Sequence, residues 1–145
     1  IGTKLKNEKD EVSFYYPFLE CKNLESDFIF YTINVIHELF HVELFYTNKY
    51  KEYTMFENEY WAHRISYCYI LKSKIFANFD LKYHQVSFFE RYFMKYIDFN
   101  ELSISNLALR IFQSDLVDYM GRESISEDDK DLDRLYEWCS TEPPH

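Results

Sequence analysis

Residues 28–46 read FIFYTINVIHELFHVELFY, the longest apolar run in the chain. Asn34, His37, Glu38, His41 and Glu43 interrupt it, a polar load that does not suit a bilayer core. No glycine or proline falls within it, and Ser26 or Asp27 ahead of it can serve as a helix N-cap. The stretch therefore reads as one long helix reaching about residue 47. Val35, Ile36, Leu39, Phe40, Val42, Leu44 and Phe45 surround the polar triplet, so the helix is expected to be apolar all round and central.

Outward from this helix, the chain holds only two glycines and three prolines. Both residues punctuate sheets and tight turns, so their scarcity favours long helices. TNKYKEYT, 47–54, is a polar connection to a second helix over about 55–77, ended by Asn78 and Asp80. Val86, Phe89, Phe93 and Tyr96 form an apolar stripe that predicts a third helix at 85–98. Ser103 or Ser105 caps a fourth, which stops near Gly121. SISEDDKDLDRLYEWC, 124–139, gives a short fifth with an acidic first turn. VSFYYPF, 12–18, is the one strand candidate, while 1–11 and 140–145 read as flexible ends. The expectation is a single compact, mainly α domain over 1–145 with at most a small N-terminal β element.

With 145 residues, 47% of them hydrophobic, the chain can build a real core and lacks the signature of disorder. A net charge of −9, without a basic patch, argues against nucleic acid as a partner. Cys21, Cys68 and Cys139 are far apart, odd in number and form no C-x-x-C pair. They predict neither a thiolate metal site nor a disulfide framework, and they point to a reducing, cytoplasmic setting. The alternative is secretion as a toxin domain of a larger chain.

His37-Glu38-Leu39-Phe40-His41 is an H-E-x-x-H pattern. Residues four apart share a helix face, so both imidazoles can reach one ion. Glu38 sits one position round, able to take a proton from a metal-bound water without ligating the metal. Two histidines and a glutamate in an apolar helix are costly without partners, and a metal would satisfy all three. Ordinary core histidines are the competing reading.

Catalytic zinc usually has three protein ligands, leaving the fourth position for water. ENEYWAHRIS, 57–66, offers Glu57, Glu59 and His63. From Glu59 the helix face carries Ala62, His63 and Ser66, small or polar residues that permit close helix approach. From Glu57 it carries Tyr60, Trp61, Arg64 and Tyr67, which are bulky. Glu59 is the better third ligand, with His63 as a supporting group, an oxyanion donor or an alternative ligand.

At these residues the chain resembles zincin metallopeptidases of the gluzincin type, with H-E-x-x-H followed by a Glu on a later helix. HELFH with ENEYWAHRI looks like small ImmA/IrrE-type peptidases, minigluzincins and polymorphic-toxin metallopeptidase domains. The resemblance covers about residues 30–70. It implies a zincin-like helical domain that binds Zn2+ through His37, His41 and Glu59. It also implies Glu38 as general base in hydrolysis of a protein or peptide substrate. Phe40 stands where many relatives carry Gly, which implies different packing behind the motif. Two other readings compete. One is a non-catalytic helical protein-binding module with a structural metal or none. The other is a ferritin-like di-iron protein, since Glu38-x-x-His41 is also a di-iron ligand pair. The di-iron site needs further such pairs, yet three residues after Glu57 and Glu59 stand Tyr60 and Ala62.

Overall fold

The computed structural model describes residues 2–6, 9–13, 24–73, 103–121 and 129–141. Four helices make up most of these residues: α1 (Leu24–Tyr46), α2 (Met55–Lys72), α3 (Ile104–Met120) and α4 (Asp129–Trp138). The domain is mainly α. A two-stranded antiparallel hairpin precedes them, β1 (Gly2–Lys6) and β2 (Lys9–Ser13), in register from Gly2 opposite Ser13 to Lys6 opposite Lys9. The hairpin falls in the segment, 1–11, that the sequence reads as a polar end rather than as strand. Its segments, GTKLK and KDEVS, carry too little apolar alternation to announce a strand. Positions 14–18 of the anticipated strand, and the helix anticipated at 85–98, lie outside the described residues.

α1 and α2 form a helical hairpin. Thr47 folds back on α1, its hydroxyl donating to the Glu43 carbonyl at 2.7 Å. Asn48 takes the left-handed conformation, φ 58°, which asparagine tolerates better than most residues. A short 3-10 turn, Lys49–Glu52, completes the reversal. Thr54 then starts α2 with a capping box: its hydroxyl accepts from the Glu57 N–H while the Glu57 carboxylate accepts from the Thr54 N–H. α2 ends at Lys72, earlier than the expected residue 77, because Ser73 turns to an extended backbone (ψ 131°).

Ile33, Phe40 and Leu44 bury one side of α1, and Phe40 packs with Leu44, Tyr53 and Ala62. Fully buried Ala62 offers no bulk, and that is where the large Phe40 is received. On the opposite side, no described residue covers Leu39 and Tyr46, which are 51% and 60% exposed. Among the described residues, α1 is covered on one side only.

The bulky side of α2 turns to α3 and α4 instead. Tyr67 meets Phe112 at 5.3 Å and Trp138 at 6.3 Å between ring centroids, and Leu71, Leu116 and Leu135 close the core around them. The buried Arg64 guanidinium lies 3.9 Å over the Trp138 ring and donates to the Trp138 carbonyl at 2.8 Å. Cys68 and Cys139 are joined in a disulfide. That bond overturns the expectation of free thiols; with the partners 71 positions apart, spacing carried no signal. Ser103 is the cap of α3, accepting from the Asn106 N–H, and Gly121 ends it at φ 71°. Ser105 is thus released from capping.

Candidate metal centre

The hairpin sets the polar face of α1 against the small-residue face of α2. His37 Nε2 lies 3.2 Å from Glu59 Oε2, and His41 Nε2 lies 3.4 Å from Glu59 Oε1. The two imidazole nitrogens are themselves 3.2 Å apart. Glu57 is elsewhere, its carboxylate engaged by Thr54 at the start of α2. Of the two glutamates, Glu59 alone joins the histidines.

Hydrogen bonds cannot satisfy this triangle. A carboxylate only accepts, and each Nε2 carries at most one proton. If both histidines donate to Glu59, two N–H groups face each other at the third edge. If one donates to the other, an imidazole lone pair or a misdirected N–H faces the carboxylate. A cation at the centre satisfies all three groups together. The size agrees as well: ligands about 2.0–2.1 Å from a tetrahedral zinc stand about 3.3 Å apart. The donor set of two imidazoles and one carboxylate, at this spacing, fits zinc.

Burial raises the affinity of the Glu59 carboxyl for its proton, but the hydrogen bonds to His37 and His41 outweigh that. The carboxyl is held well below the usual carboxylate range, with a further pull from the Ser105 side chain. Glu59 is an anion at any ordinary pH, as a metal ligand must be.

His63, one turn beyond Glu59, also offers a nitrogen within 4.8 Å of donor atoms of His37 and Glu59. Its ring centroid is 4.5 Å from that of His37. Its Nε2 is committed, however, lying 3.2 Å from the Ser105 carbonyl oxygen and 3.3 Å from the Ser105 hydroxyl. A carbonyl only accepts, so Nε2 carries the proton and donates. Burial, reinforced by the neighbouring His37 charge, pushes the His63 pKa down to about 3, leaving a neutral ring with its lone pair on Nδ1. The tighter triangle therefore runs through His41. Ser66, on the same face, is wholly buried and donates to the His63 carbonyl at 2.9 Å.

Glu38 stands beside His37 on α1 and is buried, 8% exposed. Ser105 is the residue that sequence reasoning missed as part of the site, having weighed it only as a helix cap. No local pattern links it to His63, which is 42 positions away. Compared with known proteins, the chain matches no family model, no curated protein and no solved structure.

Proposed function

We propose that the chain is a zinc-dependent metallopeptidase. The observation that carries this reading is the His37–His41–Glu59 triangle, whose edges of 3.2–3.4 Å suit a tetrahedral ion and defeat hydrogen bonding. In this reading those three residues hold the ion. Bound zinc would polarise the scissile carbonyl of a peptide substrate and acidify the attacking water. Glu38 takes the water proton as the carbon–oxygen bond forms and passes it to the leaving amine as the carbon–nitrogen bond breaks. His37 and His41, on consecutive turns of one helix, keep their two nitrogens at fixed separation through the reaction. The Cys68–Cys139 bond supports an oxidising destination over the cytoplasm.

A structural metal in a non-catalytic module is the second reading, and the proximity of His63 favours it. Four protein ligands would close the site to water. The commitment of His63 Nε2 to Ser105 weighs toward three ligands. The di-iron reading finds less support. Apart from Glu38 and His41, the one Glu-x-x-His spacing is Glu142-Pro-Pro-His145, where two prolines do not suit a helix interior.

The test compares the purified chain with Glu38→Gln for zinc content and for cleavage of a diverse peptide mixture. The expected outcome is equal zinc in both and a cleavage rate lowered by about 100-fold or more in the variant. Equal cleavage by both would remove Glu38 from the mechanism. Zinc without cleavage in either would favour the structural reading.

A further inference from the structure

The proposed centre is backed by α3 on one side, where Ser105 holds the His63 ring. Toward the hairpin turn its ligands meet solvent. The His41 and Glu59 side chains are 21% and 26% exposed, against 11% for His37. A substrate therefore reaches the centre from the side of the α1–α2 turn. Two exposed apolar residues stand at that approach. Phe45 lies one turn beyond His41 on α1, and Met55 lies one turn before Glu59 on α2.

We propose that Phe45 and Met55 form a subsite for a bulky apolar side chain of the substrate, and so set which peptide bonds are cut. This rests on the metallopeptidase reading of the site. α1 and α2 run antiparallel, and His41 faces Glu59 between them at 3.4 Å. One turn nearer the hairpin tip, the same register brings Phe45 and Met55 to one level. Glu38, His41 and Phe45 also follow one another at i, i+3 and i+7, which puts Phe45 on the face of α1 that carries the proposed base. A helix turn rises about 5.4 Å, and an extended peptide advances about 3.4 Å per residue. The side chain received is thus that of the first or second residue beside the scissile bond.

Single exposed apolar side chains are ordinary on a protein surface, and Leu39 is an example. Phe45 and Met55 differ from it in flanking the metal ligands and in being held in place. The Phe45 ring stacks on Tyr50 of the 3-10 turn, with 5.7 Å between centroids and 25° between planes. The turn itself is anchored, since Leu44 and Tyr53 are buried with Phe40 and Ala62. The capping box of Thr54 and Glu57 fixes the first turn of α2, from which Met55 projects. Met55, 71% exposed, supplies an unbranched thioether that adapts to partners of different shape. One fixed ring and one adaptable chain suit aliphatic and aromatic side chains alike.

The experiment digests a diverse peptide mixture with the zinc-loaded full chain and reads the cut sites by mass spectrometry. Phe45→Ala and Met55→Ala are compared with the unaltered chain, and Leu39→Ala is the control. The unaltered chain and the control are expected to cut within two residues of Leu, Met or Phe. Phe45→Ala and Met55→Ala should each lower cutting at those bonds by about 10-fold, the scale of a lost apolar contact, with zinc content unchanged. Cutting without apolar preference, or a preference kept in both variants, would overturn the subsite and leave the metallopeptidase reading standing. So would an equal loss in Leu39→Ala. Each chain is also sedimented with phosphatidylcholine–phosphatidylserine vesicles and sized in solution. Loss of vesicle binding or of self-association in the two variants, with cut sites unaltered, would assign the patch to lipid or to a second copy and overturn the proposal. Absence of zinc or of cutting in the unaltered chain would overturn the metallopeptidase reading and this one with it.

Discussion

The two ends of α2 are built on opposite principles. Toward its C-terminus, Tyr67, Ile70 and Leu71 enter an apolar core with Phe112, Leu116 and Leu135, and Cys68 is bonded to Cys139. Toward its N-terminus, Glu59 and His63 join His37 and His41 in a cluster that side-chain hydrogen bonds cannot complete. One end is held by apolar packing and a covalent bond. The other asks for a cation. Both ends lie on a single helix, and both meet α3.

This contrast can be broken most severely at the closed end. Reducing Cys68–Cys139, or replacing Cys68 with Ser, removes a cross-link spanning 71 residues. Chain entropy assigns such a loop about 4 kcal/mol, and denaturant unfolding should show a loss approaching that value. Zinc stoichiometry should stay unchanged, since Glu59 and the histidines lie on the other end. Loss of zinc on mild reduction would mean the two ends are not separable.

The open end gives the next effect. Zinc at about 100 times its dissociation constant should stabilise the fold by about 2.7 kcal/mol, and a chelator should remove that gain. His41→Ala should abolish the response while leaving the metal-free melting temperature nearly unchanged. A melting curve indifferent to zinc would dissolve the contrast altogether.

The smallest expected effect separates the two glutamates. Glu57→Gln weakens a capping box, and Thr54→Ala removes the cap at a cost of about 1 kcal/mol, without altering zinc uptake. Glu59→Gln should do the reverse, keeping the fold and losing the metal. Zinc loss from Glu57→Gln would place the third ligand wrongly.

Much of this arrangement can be read in the residues. The four-residue spacing of His37 and His41 places them on one face, and the small residues following Glu59 select it over Glu57 as the neighbour of that face. Ser103 and Gly121 bound α3 where cap chemistry puts them. The features that escape sequence reading are those that depend on distant partners. Ser105 acquires its contacts only because α3 packs on α2, and the disulfide exists only because α4 does. The exposed side of α1 was hidden for a different reason. Leu39 and Tyr46 are as apolar as the residues that are buried, so composition cannot tell which side α2 covers. Polar strands such as GTKLK give no period to detect.

The central claim is that three side chains from α1 and α2 form a three-ligand zinc site. X-ray absorption at the zinc edge of the loaded full chain tests it most directly. The account predicts one zinc per chain with two imidazole nitrogens, one carboxylate oxygen and one further light ligand, all at about 2.0–2.2 Å. Absence of bound zinc, or a shell of three imidazoles that brings in His63, would contradict it.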